Sequence, residues 1–271
     1  MTSAMPTDAA ARPDRARHLD WEPCWNVRDL GGLPLRGGGE TRWGALIRAD
    51  CLGKLTTAGR QALIDYGVGT IIDLRSADEL AIDPPAFPGG RAGEPAFRHA
   101  PLVTNDPAAN ARWMALQTRA DVYRIFLDFY GPGLAGALRA IAGAPPGGVV
   151  FHCLGGTDRT GLVAALVLRL AGVPDEVIAA DYEMTLARRR SIYAQLVAEK
   201  GEAALGFWDR LNMTADNMLA TLAYLDAQHG GERAYLRANG LADGDAERVR
   251  ARLRWNASPL LGGEGTRTLS R

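Results

Sequence analysis

Cys153 is the residue on which chemistry can be built. It follows His152 at the end of a short apolar run, Gly148-Val149-Val150-Phe151, and stands six positions before Arg159. Leu154, Gly155, Gly156, Thr157 and Asp158 fill the gap, and Thr160-Gly161 lead into an apolar stretch. A cysteine at a strand end and ahead of a helix N-terminus sits among inward-pointing backbone N–H groups. Those groups and the helix dipole favour an anion, so the sulfur is expected as a nucleophilic thiolate. Gly155 and Gly156 let the chain curl until successive N–H groups converge on one centre. The planar fork of Arg159 can take two oxygens of a phosphoryl group and stabilise the charge of its transition state. Thr160 can donate its hydroxyl to the sulfur, and His152 can orient the loop through its ring nitrogens. Asp158 is a candidate proton donor for a leaving oxygen, its other role being to brace the loop. A Cys with an Arg six positions on arises by chance about 0.3 times in such a chain, but the preceding His and the flanking strand, glycines and helix opening make the combination specific.

The elements around this segment follow from pattern. Val68 to Leu74 (VGTIIDL) is β-branched and apolar, as a buried strand requires, and Ala45 to Arg48, Phe97 to Leu102 and Val149 to His152 read as further strands. Thr56 or Thr57 caps a helix to about Tyr66, and Gly67 suits its end. Residues 83–96 are rich in proline and glycine and are expected as a loop. Helices are expected over 112–130, 133–142 and 160–171, with another opened by Pro174-Asp175-Glu176 and later ones over 214–228, 231–239 and 245–255. Strands alternating with helices predict an α/β sandwich in one domain over residues 21–258, built on a central, mostly parallel sheet flanked by helices. Residues 1–20 and 259–271 read as disordered tails.

Other polar residues are candidates. Asp73, at a strand end, can face the site, or it can pair with Arg75. Asp106 can sit on an acid-bearing loop or simply start a turn. Asn26, Arg28 and Asp29 form a polar cluster before Gly31-Gly32; Arg28 can reach phosphate or brace an acid. Cys24 and Cys51 are expected as small buried hydrophobes. Arg188-Arg189-Arg190 can attract an acidic substrate, although such runs are usually solvated faces.

Composition narrows the class. The 271 residues carry 31 basic and 31 acidic side chains, and this balance argues against a general nucleic-acid binder. The three cysteines lack metal-ligand spacing and are too few for a disulfide scaffold, which predicts a reducing, cytoplasmic setting. No apolar leader opens the chain, and no stretch predicts a membrane span.

The stretch H-C-x-x-G-x-D-R-T-G at 152–161 resembles the signature loop of the protein tyrosine phosphatase superfamily. Its ending is similar to an atypical bacterial branch of tyrosine/serine, dual-specificity phosphatases. Asn26-Val27-Arg28-Asp29-Leu30-Gly31-Gly32, Leu46-Ile47-Arg48-Ala49-Asp50 and Ile71-Ile72-Asp73-Leu74-Arg75-Ser76 follow that branch's order. The resemblance implies a cysteine-phosphatase-like fold and hydrolysis of phosphomonoesters through a cysteinyl-phosphate, without metal or other cofactor. It places Cys153, Arg159 and Asp158 in catalysis and His152, Leu154, Gly155, Gly156, Thr157, Thr160, Arg28 and Asp73 around the substrate. The expected partner is a phosphoprotein or other phosphomonoester. The branch often carries lysine where this chain has Thr157, and the missing charge weakens a lipid-phosphatase reading. The helices at 112–130 and 183–210 are expected as a lid. Competing readings are a phosphoinositide phosphatase, a non-catalytic phosphoprotein-binding module, and a sulfur transferase or arsenate reductase.

Overall fold

The structure is a computed structural model, and it describes residues 16–89, 92–104, 106–113, 116, 118–201 and 213–254. The expected tails at 1–15 and 259–271, and residues 202–210 of the expected lid, lie outside the described residues.

Five strands form one sheet in the order β1-β2-β5-β3-β4: β1 (Arg28–Asp29), β2 (Leu46–Ala49), β3 (Val68–Asp73), β4 (Ala96–His99) and β5 (Gly148–His152). Only β1 pairs antiparallel, Arg28 opposite Arg48; the other pairings are parallel. The α/β expectation holds. β5 is central and buried at every position, which is why its sequence is a continuous apolar run rather than an alternation. The register sets Asp73 opposite both His152 and His99, so the carboxyl ends of β3, β4 and β5 open on one edge with Cys153 next in the chain. In parallel α/β sheets this is the edge on which ligands bind.

The helices are α1 (Thr57–Asp65), α2 (Ala77–Ile82), α3 (Pro107–Trp113), α4 (Arg119–Phe129), α5 (Gly131–Ala142), α6 (Asp158–Ala171), α7 (Asp175–Lys200), α8 (Ala215–His229), α9 (Glu232–Ala238) and α10 (Asp243–Leu253). From Thr160 to Leu168 every residue of α6 is buried. A helix apolar all round must be enclosed, and α6 lies against β2, β5, α5, α7 and α10. Among the described residues no helix is long and apolar enough to cross a membrane.

Two expectations are corrected, on the helix over 112–130 and on residues 16–20, and one open reading, Asp106, takes its turn-starting alternative. The single helix over 112–130 is two, because Thr118 and Asp121 form a reciprocal capping box that starts α4 afresh. Asp106 accepts from Ala108 N and Ala109 N at 2.8 and 3.1 Å, both on Oδ1, and starts α3, the turn-starting alternative of its two readings. Residues 16–20 belong to the fold: His18 bridges to Arg28, Leu19 N donates to Val27 O at 3.1 Å, and Arg17 pairs with Asp181. In addition, α2 begins inside a segment with no strong periodicity, and Ser76 and Glu79 cap it reciprocally.

The caps give a direct check. Replacing Thr118 with Ala removes one side of the α4 box and is expected to lower the unfolding free energy by about 1 kcal/mol. Urea denaturation measures this, and an unchanged midpoint would show that α4 is held by packing alone.

Candidate active site

The loop from Cys153 to Arg159 links β5 to α6, and its carbonyls are tied to the scaffold one after another. Cys153 O meets His152 Nδ1 at 3.1 Å. Leu154 O accepts from Cys51 N at 2.9 Å. Gly155 O accepts from Asn26 Nδ2 at 3.2 Å and from the Thr157 hydroxyl at 3.1 Å. Gly156 O accepts from Asn26 Nδ2 at 3.1 Å and Arg48 Nη2 at 2.8 Å. In a trans peptide the C=O of one residue and the N–H of the next point in opposite directions. Pinning the carbonyls of 153–156 to the scaffold therefore turns the N–H groups of 154–157 the other way. Among the described residues those N–H groups donate to no protein acceptor. Thr157, the N-cap of α6, makes no side-chain cap, so the first turn of the helix is also uncapped by a side chain.

Gly156 is required by space as well as by conformation. Its φ is +63°, and a Cβ there would lie 2.6 Å from Ala49 O and 2.8 Å from Asp50 N. The strand end of β2 and the loop are in backbone contact, and any side chain would part them.

Arg159 is held from behind. Nη1 and Nη2 donate to the two carboxylate oxygens of Glu79 at 2.5 and 2.7 Å. Glu79 is the closing residue of the α2 capping box, and Ser76 N donates to it at 2.8 Å. The terminal fork of the guanidinium is thus occupied, while Nε–H has no partner among the described residues and remains with the second N–H of Nη2 for an oxyanion. Burial works against the charge of Arg159, yet the bonds to Glu79 and the neighbouring Cys153 sulfur hold its pKa above the ordinary arginine value. Glu79 is likewise penalised by burial, but Arg159 brings its pKa down to about 2.

Asp158 accepts from Arg119 Nη1 and from the Tyr123 hydroxyl, at 2.9 Å for the latter, both on Oδ1. Tyr123 in turn meets the Tyr182 hydroxyl at 2.6 Å. α4 is therefore connected to the first residue of α6 directly, and α7 through Tyr123. Oδ2 has no partner among the described residues, so it is the oxygen on which a transferable proton would sit.

Two residues expected around the substrate are occupied elsewhere. Asp73 is fully buried; Arg75 grips it through Nη2 at 2.7 Å and Nε at 3.0 Å, and His152 Nε2 lies 3.3 Å away. It anchors the strand ends and His152, the reading in which it pairs with Arg75. Burial lowers the pKa of His152 while Asp73 pulls it upward. Arg28 is also buried and reaches no open site. Its Nε and Nη2 bind the Asp181 carboxylate at 3.1 and 3.2 Å, and its Nη1 donates to Asn26 Oδ1 at 2.7 Å. It orients the amide that pins the loop. Burial, with Arg48 beside it, lowers its pKa to about 10, so it remains a cation at neutral pH. The Thr160 hydroxyl is buried with no hydrogen-bond partner, so the expected bond to sulfur is not made.

Cys24 and Cys51 are half-buried rather than buried. Burial pushes the Cys51 thiol up to about 12, its hydrogen bond to Asp83 adding to the effect. Cavities of about 370 and 360 Å³ lie beside Pro101 and Arg139 and between Arg124 and Tyr224, and neither is lined by a loop residue.

With a thiol, a guanidinium and a row of inward N–H groups assembled, comparison with known proteins is decisive: residues 19–254 match the Tyrosine phosphatase family. The chain belongs to the tyrosine phosphatase family. It is 31% identical to a tyrosine-protein phosphatase of Nostoc commune over 77% of this chain and 74% of that relative. It is 29% identical to the triple specificity protein phosphatase PtpB of Mycobacterium tuberculosis, over 84% of this chain and 95% of the relative. A putative tyrosine-protein phosphatase of Cupriavidus necator is 29% identical over 87% and 89%. The protein is a phosphoric monoester hydrolase of the tyrosine-phosphatase type, with the α/β fold that the sequence predicted, built on a five-stranded sheet.

Sequence reasoning missed Glu79, Arg119, Tyr123 and Asp181 in this tyrosine phosphatase. The Ser76-x-x-Glu79 spacing was a readable capping box. The others lie far from the loop in sequence and carry no local signal.

Glu79→Gln removes the charge behind Arg159 while keeping the shape. The expected result is a fall of roughly tenfold to a hundredfold in kcat/KM on an aryl phosphate, as for a misplaced catalytic group. Because the pKa of Glu79 is depressed in the folded state, its ion pair stabilises above the ordinary carboxylate pKa and is lost as pH falls from about 4.5 towards about 2. Acid titration of stability should show a shallower decline in that window for the variant, and equal slopes would refute the pairing.

Proposed function

We propose that Cys153 is the nucleophile, Arg159 and the loop N–H groups the oxyanion cradle, and Asp158 the general acid of a protein tyrosine phosphatase with reach to phosphoserine and phosphothreonine. The pinned carbonyls of residues 153–156 carry the reading, because they turn a row of N–H groups to one side beside a cysteine. The Cys153 thiolate attacks phosphorus, an S–P bond forms and the P–O bond to the leaving group breaks. The departing oxygen takes the proton from Asp158 Oδ2. Water then attacks phosphorus, gives its proton to Asp158, and the S–P bond breaks to return the thiolate and inorganic phosphate. Arg159 binds two phosphoryl oxygens through Nε–H and Nη2–H while Glu79 fixes the other side of its fork. Leu154, Gly155, Gly156 and Thr157 supply N–H donors, and His152 positions the peptide of Cys153.

Three free cysteines support a cytoplasmic setting in which the thiol stays reduced.

Cys153→Ser is expected to abolish turnover of p-nitrophenyl phosphate while phosphate still binds; retained turnover would rule out the covalent route. Asp158→Asn tests the acid. General-acid assistance contributes about 10²–10⁴-fold. The variant should therefore lose rate steeply on a phosphoester with a poor leaving group and only slightly on one with a good leaving group. Equal losses on the two would assign Asp158 to bracing alone.

A further inference from the structure

Tyr123 on α4 and Tyr182 on α7 are both buried, yet both are tyrosines rather than phenylalanines. Their rings meet edge to face with centres 5.9 Å apart. Tyr182 also lies along Gly161, where a Cβ would come within 3.3 Å of its ring. That packing needs no oxygen. A buried hydroxyl costs free energy unless it is paired, so the two hydroxyls call for a reason. Among the described residues their hydrogen bonds go to each other, at 2.6 Å, and from Tyr123 to the Asp158 carboxylate, at 2.9 Å.

The direction of each bond follows from counting protons. A carboxylate only accepts, so the one hydroxyl proton of Tyr123 goes to Asp158 Oδ1. The contact between the two phenols then takes its proton from Tyr182. The result is a chain, Tyr182 O–H to Tyr123 O–H to Asp158 Oδ1, in which each bond polarises the next. Arg119 Nη1 donates to the same Oδ1. Two donors on one oxygen fix the plane of the carboxyl group and leave Oδ2 as the oxygen on which a proton can sit. The Asp158 side chain is 23% exposed, whereas those of Arg119 and both tyrosines are buried. The held oxygen is therefore gripped from the interior, by two helices at once.

We propose that Tyr123 and Tyr182 are positioning residues for phosphoester cleavage: their hydroxyl chain holds Asp158 by Oδ1 so that Oδ2 delivers its proton to the departing oxygen. This rests on the reading of Asp158 as the general acid. The tyrosines act through Asp158 and not on the phosphoryl group. A phenylalanine at either position keeps the ring packing and loses the hold.

The test uses the full chain and two substrates: phenyl phosphate, whose leaving group is poor, and p-nitrophenyl phosphate, whose leaving group needs little help from an acid. The quantity read is the ratio of the two kcat/KM values. Tyr123→Phe is expected to lower kcat/KM on phenyl phosphate about tenfold, a part of what a well-placed general acid contributes, and on p-nitrophenyl phosphate by clearly less. Tyr182→Phe should move the ratio the same way and by less, because it weakens the chain without breaking its last bond. In an Asp158→Asn background, Tyr123→Phe should add nothing to the change in ratio, as expected when one residue acts through the other. A Tyr123→Phe enzyme that loses equally on both substrates would overturn the proposal, since tyrosines that merely join α4 to α7 affect both alike. So would a change in ratio that persists undiminished in the Asp158→Asn background. Should Tyr123→Phe not fold, Tyr182→Phe reads the same ratio, and its equal loss on both substrates decides against the chain. Failure of the acid reading itself is seen apart from these, as equal losses in Asp158→Asn alone, and it would take the proposal with it.

Discussion

The structure depends on where four carbonyl groups point. An anion cradle made of backbone N–H groups exists only if the carbonyls alternating with them are drawn to the other side, and a loop with two glycines has no preference of its own strong enough to do this. The scaffold imposes the direction. Asn26 and Arg48 take the carbonyls of Gly155 and Gly156, Cys51 N takes that of Leu154, and His152 meets that of Cys153. These groups come from the segment before β1, from β2 and its end, and from β5. The first strands of the chain therefore serve the last turn before α6.

Holding two arginines inside the protein to do this has an electrostatic cost, and Asp181 offsets it. Arg28 and Arg48 are almost fully buried, and Asp181 bridges them at 3.1 and 2.9 Å, with Arg17 closing the cluster from outside. Three guanidinium groups keep the Asp181 carboxyl well below the usual carboxylate range despite its burial. Removing one partner from a buried cluster of this kind leaves an uncompensated charge and costs about 3–5 kcal/mol. The cluster also attaches α7 to the loop, since Asp181 is on α7 and Arg48 Nη2 is on Gly156 O.

What could be read from the sequence was the local part. The strand, the cysteine, the two glycines and the arginine six residues on are contiguous, and each has a backbone reason to be there. The sheet was legible because a parallel central strand must be largely apolar, as 149–151 and 71–72 are. The supporting groups were illegible because their partners are distant in sequence: Arg119 is 39 residues from Asp158, Glu79 is 80 from Arg159, and Arg28 is 153 from Asp181. The resemblance placed Arg28 and Asp73 around the substrate, while the residues themselves also allowed a bracing role for Arg28 and a pair with Arg75 for Asp73. The structure uses their charge in buried pairs, and a sequence does not show whether a partner waits behind the strand. The split between α3 and α4 was visible in Thr118-x-x-Asp121, but the apolar spacing across 112–130 concealed it.

The same connections explain how one loop can serve both steps of hydrolysis. The two helices expected as a lid meet the first turn of α6 at different atoms: α4 through Arg119 and Tyr123 on Asp158, α7 through Tyr182 on Tyr123 and Arg189 on Thr157. In the role proposed for it, Asp158 would give a proton when the ester oxygen leaves and take one when water attacks, so its environment would have to tolerate both forms. The Tyr123 hydroxyl donates to the same oxygen as Arg119 and can rotate towards Tyr182 instead, because the two hydroxyls are 2.6 Å apart and either can be the donor. Burial pushes both phenols well above the ordinary tyrosine pKa, so they stay protonated and act as donors throughout. The pair of tyrosines thus gives Asp158 one donor that can be withdrawn and restored without moving either helix.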